Sequence, residues 1–190
     1  MSASALLWPT TGVRRVLSDR DYRVIGTHAA PGALAASSGE VRSLEEARLR
    51  LKASSVSAPQ TSISVEVDGP VLPEWIFPAL KSATELLSLD QDWDSYGSPP
   101  IDPRTIERGL ELLGDVMSAE SLPPAFVPTS SGGCQLEWHT PARDLEIEIL
   151  ADGNVSIYLE DRVRNVEADG SYVEHRLLAR ELLRELVQEP

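Results

Sequence analysis

"GGCQLEWHTPARDLEIEILADGNVSIYLED", residues 132–161, is the stretch that decides the fold. Three segments within it alternate apolar and polar residues: "GGCQLEWHT" (132–140), "DLEIEIL" (144–150) and "VSIYLED" (155–161). A period of two marks strands that bury one face. Asp152-Gly153, inside the connection "ADGN", is a tight hairpin signal, so the segments read as an antiparallel β-meander. Cys134, Leu136 and Trp138 share the inner side, with Leu145, Ile147 and Ile149, then Val155, Ile157 and Leu159. That side needs a cover, and the flanking segments supply helices. Asp102 is placed to cap a helix that starts at Pro103 and puts Ile106, Leu110, Leu113 and Met117 on one face. "LPEWIFPALKSATELLSLD" (72–90) carries a second stripe at Leu80, Ala83, Leu86 and Leu87. The last twenty residues place Val173, Leu177, Leu178, Leu182 and Leu186 on a third. Helices on one face of an antiparallel sheet make an α+β domain.

Upstream of these helices, "SISVEVDG" (62–69) alternates Ile63, Val65 and Val67 and reads as one more strand. Before it the texture changes. Residues 1–60 are rich in Ala, Ser and Gly, and "THAAPGALAASSGE" (27–40) has linker composition. Within this region Ser43 and Glu46 have capping-box spacing, which predicts a short helix in "SLEEARLRLKAS" (43–54). The expected division is a flexible, basic arm (1–60) and an acidic α+β domain (61–190). The arm is expected to be removable, since linker composition makes few core contacts.

Charge follows the same division. Residues 1–60 hold eight bases and five acids, for +3; residues 61–190 hold nine bases and 25 acids, for −16; the total is −13. The acidic part repels nucleic acid and anionic membrane and suits a protein partner with a basic surface. Nucleic acid would be approached only through the arm. One cysteine excludes an internal disulfide framework. The N-terminus lacks the features of a signal peptide, and no window reaches the length of a membrane span, so a cytoplasmic protein is expected.

"DQDWDSYGSPP" (90–100) tests for a metal. Asp90, Asp92 and Asp94 fit the first, third and fifth positions of a calcium loop, but Ser95 stands where glycine is required and Ile101 where glutamate is required. The stretch reads instead as a turn. Asp94 bonds backbone amides, Asp90 and Asp92 are solvated, and Trp93 and Tyr96 pack the turn onto the domain.

The outer side of the meander gathers the polar candidates: Gln135, Glu137 and His139, then Glu146 and Glu148, then Ser156, Tyr158 and Glu160. Two chemistries are open. Carboxylates with a histidine can serve as acid and base or ligate a metal. An exposed sheet face is also ordinarily polar, and like charges on adjacent strands cost a few tenths of a kcal/mol or more, which a basic partner would relieve. Ser130, Ser131, His139 and Asp144 supply the letters of a hydrolase triad without a nucleophile elbow. Cys134 and His139 point to opposite faces of one strand, so Cys134 is a core residue.

"WDSYGSPPI" (93–101), "FVPTSSGGCQLEWH" (126–139) and the two strands to Asp161 resemble a family of small bacterial proteins. Its members share a Trp-Asp-x-Tyr-Gly turn and a Gly-Gly-x-Gln-Leu-Glu-Trp strand. The resemblance covers about residues 80–161 and implies a bacterial cytoplasmic protein; that family has no established activity, so it transfers no functional residue. The residues therefore favour a non-enzymatic binding or regulatory protein, such as an antitoxin-like neutraliser or an accessory subunit of a stress or defence system. No cofactor or metal is expected, and the binding residues are Glu137, His139, Glu146, Glu148, Tyr158 and Glu160. The alternative is a carboxylate- or metal-dependent hydrolase using Glu137, His139, Glu146 and Glu148.

Overall fold

The computed structural model describes residues 15–18, 22–27, 50–56, 62–68 and 72–187. The meander is the centre of a five-stranded antiparallel sheet built from β5 (Ala125–Pro128), β6 (Cys134–His139), β7 (Arg143–Ile149), β8 (Val155–Asp161) and β9 (Val166–Ser171) in that order. β1 (Arg15–Ser18), β2 (Tyr22–Thr27), β3 (Arg50–Val56) and β4 (Ser62–Asp68) form a second sheet, ordered β1-β2-β4-β3, in which β2 and β4 run parallel. The helices are α1 (Ile76–Leu87), α2 (Pro103–Val116) and α3 (Tyr172–Leu186). Among the described residues no helix is long and apolar enough to cross a membrane.

The alternation read from the sequence is the alternation of burial. Cys134, Leu136, Trp138, Leu145, Ile147, Ile149, Ile157 and Leu159 are buried, and only Val155, at the strand start, is partly exposed. All three helices cover this inner face, α1 on β5, α2 on β6 and β7, and α3 on β7 to β9. Helix α2 also packs against β3, and α1 against β4, so these two helices lie between the sheets. The Asp102 side chain accepts from Arg104 N at 2.9 Å, with Pro103 in the first turn, as the sequence requires. Cys134 lies wholly inside, its Sγ donating to Thr105 O at 3.5 Å, and burial pushes its thiol pKa up to about 12.

Polar side chains lock the layers together. Trp75 Nε1 donates to Ser118 O at 2.7 Å, tying the start of α1 to the end of α2. Tyr172 donates its hydroxyl to Asp115 Oδ2 at 2.6 Å, and Arg180 bonds both the carbonyl and the carboxylate of Asp115, joining α3 to α2. Beneath the far end of the sheet, Asp161 is 1% exposed and accepts from Arg143 Nε (3.1 Å), Arg164 Nε (2.7 Å) and the amides of Val163 and Arg164. Burial alone would raise its pKa; the hydrogen bonds from Arg164 and Arg143 instead bring it down to about 2. Its stabilising contribution is therefore present above the ordinary 3.8 and is lost as pH falls toward 2. Gly133, entering β6, must be glycine, because a Cβ there would sit 2.4 Å from Ile149 O.

Several expectations change. The β3 strand occupies Arg50–Val56, so a helix from Ser43 cannot run through that stretch; residues 43–49 lie outside the described residues. The pairing of β3 with β4 runs across residue 60, where composition drew a boundary. Helix α3 buries Tyr172, Ala179, Leu182, Leu183 and Leu186, and leaves Val173 and Leu177 exposed. In the aspartate turn, Asp94 does bond the amides of Tyr96 (2.9 Å) and Ser98 (3.2 Å), and its carboxylate also takes the Ser98 hydroxyl. These bonds, first that from the Ser98 hydroxyl, hold its pKa below the usual carboxylate value. Asp92 is not merely solvated, since it accepts from Gly97 N at 2.7 Å. Trp93 is half-buried with its Nε1 donating to Pro99 O, and Tyr96 is 93% exposed, so it does not pack the turn onto the domain.

Two measurements follow from this architecture. Trp93→Ala should cost about 1–2 kcal/mol, less than the ~3–5 of a fully buried tryptophan, and calcium or magnesium should leave the melting temperature unchanged. A calcium-dependent rise abolished by Asp92→Ala would contradict the turn. Deleting residues 1–58 strips β4 of both neighbours, although Ile63, Val65 and Val67 sit in the shared core. The remainder should keep a cooperative thermal transition at a lowered midpoint. Loss of the transition would place the first three strands inside the folding unit, and an unchanged midpoint would show that they add nothing to it.

Candidate functional site

The outer face of the five-stranded sheet follows from the same period of two, now read on the polar residues. Register sets them in cross-strand rows. One row runs Glu137, Glu146, Tyr158, Asp169; the next runs His139, Asp144, Glu160, Glu167; a third contains Gln135, Glu148, Ser156 and Ser171. All six binding candidates thus lie on one surface, as expected from the sequence, and most are half-exposed. The face is spread over four strands. A shallow depression of about 100 Å³ lies elsewhere, where Arg104 and Arg108 of α2 meet Asp152 of the β7–β8 hairpin.

Side-chain pairing makes the face less uniformly acidic than its strands suggest. Glu137 and Glu146 stand directly opposite, a repulsive pair. Each has a local partner: Glu137 Oε2 lies 3.1 Å from His139 Nε2, and Glu146 Oε2 accepts from Gln135 Nε2 at 2.6 Å. The other ring nitrogen of His139, Nδ1, lies 2.8 Å from Asp144 Oδ1. Arg162, just past β8, bonds the Asp144 carboxylate and Glu160 Oε2 (2.6 Å). A chain of alternating charge therefore links Glu137, His139, Asp144, Arg162 and Glu160.

Electrostatics follows that geometry. The hydrogen bond to Asp144, with a smaller contribution from Glu137, raises the His139 pKa above 6.5 against a modest burial penalty. The same bond, helped by Arg162, holds the Asp144 carboxyl below its usual range. Tyr158 is pushed up by burial and by the carboxylates of Glu160, Glu167 and Asp144. Glu148, Glu167 and Asp169 have no ion pair or side-chain hydrogen bond among the described residues.

Of the triad letters His139 and Asp144 do pair, but both imidazole nitrogens are occupied by carboxylates and Ser131 shares a hydrogen bond with Thr129. Among the described residues no group of three or more His, Cys, Asp or Glu could hold a metal ion. His28, also considered in the sequence, lies outside the described residues. Sequence reasoning missed Arg162 and the pairing role of Asp144. The signal for Asp144 was present: a two-residue turn at Pro141-Ala142 puts positions 139 and 144 directly opposite.

An imidazole held between two carboxylates is testable by NMR. His139 should titrate above the ordinary 6.5, and Asp144→Asn should bring it back toward that value. Since the folded pKa is the raised one, the stability from this bond is full at pH below the ordinary histidine range and is lost as pH rises through the folded midpoint. A midpoint unmoved by Asp144→Asn would contradict the pairing. No protein-family model, no curated protein and no solved structure matches this chain, so the face is read from its own geometry.

Proposed function

We propose that the protein is a non-enzymatic binding protein whose acidic outer sheet face docks a protein partner with a basic surface. An antitoxin-like neutraliser or an accessory subunit works in this way. The observation that carries the reading is an open face, four strands wide, on which Glu148 of the central strand and Glu167 and Asp169 of β9 have no cation partner among the described residues. A basic partner would supply it and relieve the repulsion between rows. Long-range attraction from the acidic part of the chain would speed the encounter. The carboxylate hydrolase has no comparable observation in its favour.

The test uses two baits side by side, the full chain and its Glu146→Lys/Glu148→Lys variant. Glu146 and Glu148 alternate on β7, the middle strand, where two reversals change the potential of the face most. Basic proteins captured by the first should be lost from the second and should weaken on the first as salt shortens the screening length to about 8 Å and below. The variant itself should remain folded. Binding indifferent to both salt and the charge reversals would rule the acidic face out.

A further inference from the structure

The five-stranded sheet has two edges, and the chain treats them differently. In an antiparallel ladder, alternate residues bond alternate neighbours, so every second residue of an edge strand directs its N–H and C=O outward. The hairpins fix the phase. Thr140 N donates to Arg143 O at 2.8 Å, and Leu150 N to Asn154 O at 2.9 Å. Counting along the registers, Ser156, Tyr158 and Glu160 of β8 bond β7, while Ile157, Leu159 and Asp161 bond Gly170, Ala168 and Val166 of β9. Glu167, Asp169 and Ser171 are left with their amides and carbonyls pointing away from the sheet, and all three residues are exposed. At the other edge, Thr129 N donates to Gly133 O at 3.1 Å, so the outward positions of β5 are Phe126 and Pro128. Pro128 has no amide to offer, and β5 is only four residues long. The β9 edge is six residues without a proline, and no described strand pairs with it.

We infer that β9 is a docking edge, which takes an extended segment of a basic partner as a sixth strand of the sheet. The basic character of the partner rests on the function proposed above; the open edge does not. Main-chain bonds to Glu167 and Asp169 would hold the segment. Basic residues at alternate positions would face the Glu167 and Asp169 side chains, neither of which has an ion pair among the described residues. The residues between would lie beside half-buried Val166 and Ala168. A second copy of β9 is disfavoured as occupant, since antiparallel self-pairing about Ala168 sets Glu167 against Asp169 of the copy on the same face.

The experiment uses the full chain and two synthetic probes, an octapeptide of alternating valine and lysine and an octalysine. Backbone amide exchange is read residue by residue. The alternating peptide should slow exchange at Glu167 and Asp169 by about tenfold or more at saturation, and octalysine should not. Asp169→Pro removes one outward amide and leaves the β8 ladder intact, so it should bind the alternating peptide about tenfold more weakly than Asp169→Ala, which loses the same charge and keeps the amide. Unchanged exchange at both positions overturns the proposal, whether or not the proline variant folds, and marks the acids as guards of an edge that pairs with nothing. Equal affinity of folded proline and alanine variants also overturns it. Binding that responds to salt and to Glu146→Lys/Glu148→Lys, with both amides unprotected, keeps the acidic face and sinks the edge. Protected amides with no salt response keep the edge and sink the acidic face.

Discussion

Burial of helix α2 on two sides is the constraint from which the rest of the structure follows. Its buried residues form two adjoining stripes, Thr105, Gly109, Leu112 and Val116 in one, and Ile106, Leu110 and Leu113 in the other. The first stripe meets the meander: Thr105 reaches Cys134, and a Cβ at Gly109 would already be 3.7 Å from Cys134 Sγ and Ile149 Cδ1. The helix also contacts β3 of the other sheet. A helix enclosed in this way must satisfy its ends locally. Asp102 serves its N-terminus, and the Met117 amide closes on Leu113 O at the other end. Trp75, Tyr172 and Arg180 then fasten the neighbouring helices to its last turn and to Ser118 just beyond.

Fixing the inner face fixes the outer one. In β7 a slip of one residue would bury Glu146 and Glu148 and expose Leu145 and Ile147, so the hydrophobic set holds the carboxylates outward with no need of an interaction of their own. The two groups of acids are handled by different physics. Asp161, at the edge of the core, is taken out of water only because two guanidiniums and two amides surround it. On the outer face water does much of that work, and partners are fewer. Glu137 and Asp144 share one imidazole, and Asp144 and Glu160 share one guanidinium.

How much of this was legible depended on whether a residue's neighbours lay close in the chain. The central strands were legible because branched and aromatic residues alternate with charges, and α2 because Asp102-Pro103 is a local start signal. β9 was missed, since its half-buried positions are Val166, Ala168 and Gly170, too small to stand out as a hydrophobic row. β5 was missed for its shortness. In β3 the local spacing of Ser43 and Glu46 suggested a helix, whereas Arg50–Val56 pairs with β4 along its whole length; tertiary pairing overrides local propensity there. Helix α3 was found with its phase shifted, because Leu177 and Leu178 belong to different faces and only packing decides between them. Tyr172, Ala179 and Leu183, which the stripe did not include, are buried beside Leu182 and Leu186, which it did. The outer face was legible as a set of residues but not as a network, since Arg162 lies beyond the strand whose periodicity defined the face.

That network also determines where charge is left over. His139 and Arg162 sit at the hairpin ends of β6 and β8, and between them they compensate the row that contains Asp144 and Glu160. Neither cation pairs with Glu167, which continues that row onto β9, or with Asp169, which ends the row of Glu137 and Glu146. Of the three carboxylates on this face without an ion pair or side-chain hydrogen bond among the described residues, Glu148 lies on β7, and Glu167 and Asp169 lie on the edge strand that no described strand pairs with. A strand added there would place its own side chains in the next position of each row, about 4.5–5.5 Å from those of Glu167 and Asp169, the separation at which cross-strand charge pairs act. The proposed extended and basic segment would meet both charge and backbone at one place, and neither contact depends on a pocket.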